Sequence, residues 1–92
     1  MKQTYRQLER IMKGVANHHR LKTLNLLARK PGLSVLEIAG ELNSNFKNIS
    51  VHINKMHTAG LLVKKSSGNG NIVNHTLTAR GKRLLKFVRI ME

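Results

Sequence analysis

No cysteine occurs in the chain, so neither a disulfide nor a thiolate metal site is available. Tryptophan is also absent, and one Tyr and two Phe are the only Trp, Tyr or Phe residues. Aliphatic side chains must therefore supply the core, and the chain has almost none of the stacking platforms that hold single-stranded RNA. Aspartate is absent too, which leaves Glu9, Glu37, Glu41 and Glu92 as the only acidic side chains. Nothing can then orient a histidine or hold magnesium in the manner of an Asp. Ser34, Ser44, Ser50, Ser66 and Ser67 lack a nucleophile-elbow context, and Gly68-Asn69-Gly70 lacks the rest of a phosphate-binding loop. The expectation is that the chain is not an enzyme. No apolar run approaches the roughly 20 residues of a membrane helix, and Met1–Arg10 contains no signal-peptide core. The expected location is cytoplasmic, with no membrane partner.

What the chain has in abundance is positive charge. Seventeen Lys and Arg against four acids give a formal +13, beyond the roughly 2–8 units that serve solubility in a small domain. Such a chain concentrates on polyanions. Residues 1–31 carry eight basic groups with Glu9, and residues 61–92 carry seven with Glu92. Between them Lys47 and Lys55 balance Glu37 and Glu41. Because the cations interleave with apolar residues, the charge belongs to folded faces and not to a disordered tail. Ninety-two residues suit one domain spanning 1–92, small enough to gain from burying further surface in a dimer.

Apolar periodicity divides the chain into elements. Tyr5, Leu8, Ile11, Met12 and Val15 form one helical stripe, predicting a first helix over about 3–16. Asn17 can cap a second helix with apolar Leu21, Leu24, Leu27 and Ala28, which Pro31 and Gly32 end. Ser34-Val35-Leu36-Glu37 reads as a capping box opening a short third helix that buries Ile38, Ala39 and Leu42. Asn43-Ser44-Asn45 breaks the pattern. A fourth helix follows over about 46–59, with Phe46, Ile49, Ile53 and Met56 inward and Gly60 as its stop. Leu61–Lys65 and Ile72–Leu77 read as strands around a polar loop, a hairpin over about 61–77. Thr78 can cap a last helix over about 79–91, with apolar Leu84, Leu85, Val88 and Met91. The fold class expected is mainly α with a small β-hairpin.

A short helix, a tight turn and a second helix, over about 34–59, make a helix-turn-helix whose second helix can enter a major groove. With Ile49, Ile53 and Met56 inward, Lys47, Asn48, Val51, Asn54, Lys55 and Thr58 point outward and Ser50 falls at the edge. That face has no acid. Asn can pair bidentately with adenine, Lys can donate to guanine and Val can touch a thymine methyl. Asn45, Lys47, Asn48 and Val51 are the expected base readers, with Ser50, Asn54 and Lys55 at phosphate or further along the groove. In the hairpin, Lys64, Lys65, Ser66, Asn69 and Asn71 can follow the backbone or enter the minor groove. Ser34 is a cap that can also offer its helix start to a phosphate.

Residues 14–85 resemble a known family. Asn17–Leu27 is similar to the second helix of the ArsR-type winged-helix repressors, Leu33–Ala39 to their third, and Asn48–Leu62 to their recognition helix and its exit into the hairpin. Leu77–Lys82 resembles MarR-type and other winged-helix regulators. The resemblance implies a winged helix-turn-helix, in the order α-α-α-turn-α-β-wing-β-α, and a homodimeric DNA-binding repressor joined through its terminal helices. Tyr5, Leu8, Met12, Leu84, Val88 and Met91 would then form the interface. Metal-sensing members carry cysteines in the third helix, where Ser34 and Leu36 stand here, or carboxylate–histidine pairs on the last helix, where residues 80–92 have no His. Those metal sites are therefore absent. The spacing of His18, His19, His52, His57 and His75 suggests no other metal site, and no cofactor is expected. His52 is expected to pack at the base of the fourth helix.

The expected function is sequence-specific binding of double-stranded DNA in transcription regulation, by a dimeric repressor reading an inverted repeat. An architectural protein coating DNA without sequence preference, and a winged helix serving protein contact, remain the alternatives. Any small-molecule effector is unknown.

Overall fold

The computed structural model describes residues 3–66 and 72–92. The chain runs α1 (Tyr5–Val15), α2 (His18–Arg29), α3 (Val35–Glu41), α4 (Phe46–Thr58), β1 (Leu62–Ser66), β2 (Val73–Leu77) and α5 (Ala79–Met91). Each helix begins at a side-chain cap. Thr4 and Gln7 form a capping box on α1, Asn17 accepts from the His19 N–H, and Thr78 accepts from the Gly81 N–H. The box predicted at Ser34 and Glu37 is present on α3. Among the described residues φ is positive at Gly32, Asn43 and Gly60, each between two elements, and Gly and Asn adopt that conformation at least cost.

Val15, Leu24, Leu26, Leu27, Ile38, Ile49, Ile53, Met56, Leu61, Leu77 and Leu85 form a continuous aliphatic core. Full burial of such a side chain contributes about 1.5–3 kcal/mol. Helix α2 lies at the centre, packed against α1, α4, α5 and β2. It therefore buries more than the single stripe read from the sequence. Leu26 is inside, while Ala28 is exposed. Buried Thr23 satisfies its hydroxyl by donating to the His19 carbonyl at 2.8 Å.

A second reading is corrected at Phe46, expected inward with Ile49. It is 54% exposed, whereas Ile49 is fully buried. The helical period begins at Phe46, the first residue of α4, but the core beneath the helix begins only one turn later, at Ile49.

Strands β1 and β2 pair antiparallel from Leu62↔Leu77 to Ser66↔Val73. The other side of β2 is closed by the α2–α3 connection, where His75 N donates to the Leu33 carbonyl (2.8 Å) and Gly32 N donates to the His75 carbonyl (3.1 Å). A three-helix core carrying α3 and α4 as a helix-turn-helix, followed by a hairpin and a closing helix, is the winged helix-turn-helix architecture. Among the described residues no helix is long and apolar enough to cross a membrane.

Candidate nucleic-acid interface

The fourth helix is placed by three sets of contacts. Ile49, Ile53 and Met56 sink into the core and fix its rotation. Arg20 fixes its middle, its Nε donating to His52 Nδ1 at 3.1 Å while its Nη1 donates to the Lys13 carbonyl at 2.6 Å. His52, expected at the base of this helix, also stacks on His19 with ring centroids 5.4 Å apart. Partial burial, with the neighbouring Arg20 charge, lowers the His52 pKa from the ordinary histidine range.

The C-terminal end of α4 is tied to α5. Thr78 Oγ1 donates to the Gly60 carbonyl at 2.6 Å, and Arg80 Nη1 donates to the Ala59 carbonyl at 3.2 Å. At the same end, Gly14 lets α1 approach so closely that a β-carbon there would collide with the Ala59 methyl. His57 Nε2 meets His75 Nδ1 at 2.8 Å, linking α4 to the wing. Burial, with His57 and Lys64 nearby, lowers the His75 pKa to about 4, and burial with Lys64 lowers that of His57. Sequence spacing did not reveal this pair, because its members stand 18 positions apart on different elements.

These contacts leave Lys47, Asn48, Val51, Asn54, Lys55 and Thr58 exposed on α4, with Ser50 half-buried beside them. Asn45 is exposed at the helix start, but its Oδ1 accepts from the Asn48 N–H at 2.8 Å, so the side chain is oriented by its role as cap. The exposed Phe46 adds an apolar ring next to it. Ser34 is half-buried, its hydroxyl accepting from the Glu37 N–H at 3.2 Å. Both acids of this region are engaged. Glu37 Oε1 accepts from the Ser34 N–H at 3.0 Å, which lowers its pKa, and Glu41 pairs with Lys30 at 2.8 Å. The outward face of α4 therefore presents donors, amides and one aliphatic group without a carboxylate among them. On β1, Lys64 and Lys65 are both exposed. Asn69 and Asn71, expected in the wing tip, lie outside the described residues.

On another side of the molecule the terminal helices expose apolar surface. Tyr5 is 91% exposed, Leu8 and Met12 about half, and Met91 72%, while Leu84 and Val88 are half-buried. Phe87 and Ile90, which the sequence reading omitted, are exposed on the same helix as Met91. Phe87 lies three residues after Leu84, a spacing that places it on that stripe. A groove between α1 and α5 is lined by Met12, Val15, Leu21, Leu84, Phe87, Val88 and Met91. Among the described residues, no group of three or more His, Cys, Asp or Glu is arranged to hold a metal ion.

Comparison with known proteins gives this geometry its family. The chain resembles the homodimeric winged helix-turn-helix DNA-binding domain of a possible ArsR-family transcriptional regulator from Mycobacterium bovis, with 24% identity and a TM-score of 0.81, covering 99% of this chain and 88% of that one. A crystal structure of the same fragment, described as a possible transcriptional regulatory protein, matches with 26% identity and a TM-score of 0.80, over 92% and 89% of the two chains. HlyU from Vibrio cholerae matches with 23% identity and a TM-score of 0.80, over 99% and 97%. No curated protein matches the sequence. Residues 17–64, from the cap of α2 into the wing and just over half the chain, match the model of the bacterial regulatory proteins of the arsR family. The chain belongs to that family, and is a winged-helix DNA-binding transcriptional regulator.

Proposed function

We propose that the chain is a homodimeric repressor, one binding domain over its whole length, that reads an inverted repeat in double-stranded DNA. Each protomer lays α4 in a major groove, and the two grooves lie about 34 Å apart, one helical turn. Asn45, Lys47, Asn48 and Val51 meet base edges. Ser50, Asn54 and Lys55 continue along the groove, and Ser34 faces a phosphate from the start of α3. Lys64 and Lys65, with Asn69 and Asn71 of the wing, hold the flanking backbone. Each good bidentate base contact contributes about 1–3 kcal/mol of discrimination. Repression follows when the bound dimer blocks polymerase, and the protein acts in the cytoplasm, where the DNA is. Family and fold belong to DNA-binding regulators, and the reading includes no catalysis.

The observation that carries this reading is the outward face of α4, exposed, free of acid and set by buried Ile49, Ile53 and Met56. The dimer rests on exposed Tyr5, Leu8, Met12 and Met91 beside half-buried Leu84 and Val88, with Phe87 and Ile90 added. The Mycobacterium bovis domain of the same fold is described as homodimeric, which supports it.

The test compares Asn48→Ala with Lys64→Ala on operator and random duplexes. Asn48→Ala should lower the ratio of specific to nonspecific affinity about tenfold, whereas Lys64→Ala should weaken both alike. An unchanged ratio in Asn48→Ala would show that the reading face has been misplaced.

A further inference from the structure

A second surface, between α2, β2 and α5, has a different chemistry from the DNA-reading face. There a cleft of about 480 Å³ is floored by Leu27, Pro31, Leu77 and Leu85. Its rim carries Lys82, Arg83, Lys86 and Arg89, all exposed and all on α5. Lys82 and Lys86 are one turn apart, as are Lys86 and Arg89, so like charges face each other along the helix at a cost in stability. Among the described residues none of these four cations forms an ion pair. Glu9 pairs with Lys13, Glu41 with Lys30, and Glu37 is bound to the Ser34 N–H, while Glu92, one turn beyond Arg89, forms no ion pair among the described residues. Arg89 is held over the cleft by donating from Nη2 to Asn25 Oδ1 at 3.0 Å, with its remaining N–H groups left for another acceptor.

An apolar floor beneath clustered cations selects a ligand with both characters. Duplex backbone would gain from the cations and nothing from the leucines, and a neutral apolar molecule the reverse. The volume lies within the range of small-molecule sites. We propose that this cleft binds a small organic anion, a carboxylate bearing an apolar chain or ring, with its body on Leu27, Leu77 and Leu85 and its carboxylate between Lys82, Lys86 and Arg89. The cleft touches both the wing strand and α5, so its occupant would contact an element of the DNA grip and a terminal helix together. The site stands independently of the DNA-reading proposal, because it is tested on the free protein.

The experiment titrates the chain, without DNA, with decanoate below its micelle concentration while leucine methyl resonances are followed. Saturable binding should shift Leu27, Leu77 and Leu85. Decanol and inorganic phosphate, each lacking one half of the ligand, should bind at least about tenfold more weakly. Lys82→Glu with Lys86→Glu, both on the exposed rim, should lose about tenfold or more, and Lys86→Arg should retain binding. Decanol binding as tightly as decanoate would reduce the site to a greasy groove, and phosphate binding as tightly would reduce it to a charge cluster. Either result overturns the proposal. A nonspecific duplex that displaces decanoate and moves the same methyls would overturn it as well, by assigning the cations to phosphate backbone.

Discussion

His57 Nε2 and His75 Nδ1 lie 2.8 Å apart and join the end of the recognition helix to the second wing strand. One ring must donate and the other accept, so at least one nitrogen of the pair has to stay unprotonated. Burial holds His75 near a pKa of about 4, against 6.5 in an exposed histidine. The folded state therefore binds protons less readily than the unfolded chain. Its stability should be complete above pH 6.5, fall as the pH drops from there to about 4, and lose nothing further from this group below that. The loss should be on the order of 3 kcal/mol. Urea unfolding across this window should show the slope, and His75→Phe should flatten it. An equal slope in the variant would place the acid sensitivity elsewhere.

The approach of α1 to α4 predicts a reciprocal pair. Gly14→Ala drives a methyl into that of Ala59 and should cost about 1–3 kcal/mol. Ala59→Gly in the same chain removes the obstacle and should recover part of that loss despite the added helix-end glycine. Additive destabilisation in a double-mutant cycle would show that the two methyls do not meet.

Asn45 separates capping from base reading. Its Oδ1 holds the Asn48 N–H, so Asn45→Ala should destabilise the fold by about 1 kcal/mol. Asn45→Asp keeps the cap but sets a negative charge at the helix end assigned to DNA. Thermal unfolding should be little changed in that variant while duplex affinity falls. Full affinity in Asn45→Asp would remove Asn45 from the interface.

The dimer predicts a charge-sensitive association. Ile90 is 82% exposed and touches no core, so Ile90→Glu should leave the monomer folded. Sedimentation should then show a shift from dimer to monomer, with weakened operator binding. A dimer that survives Ile90→Glu together with Phe87→Glu would move the interface off α5.

Much of this architecture was legible because most elements announce themselves locally. Ser34 with Glu37, Asn17, Thr78 and Gly60 mark helix boundaries through side chains or backbone freedom that act within a few residues. The exposed face of α4 followed from the rotation that Ile49, Ile53 and Met56 impose. Periodicity failed where burial depends on distant neighbours. Leu26 is inside because α2 is surrounded, and Phe46 is outside because α4 starts a turn before the core beneath it does. The His57–His75 contact and the cationic cleft on α5 depend on how β2 is laid against its neighbours, which no local pattern states.

The most direct test of the central claim is selection of binding sites from a random duplex pool at two salt concentrations. A dimer reading through paired α4 helices predicts an enriched inverted repeat, with half-sites one helical turn apart, that persists at the higher salt. Binding without a motif, lost as salt rises, would contradict it and leave a protein that grips DNA by charge alone.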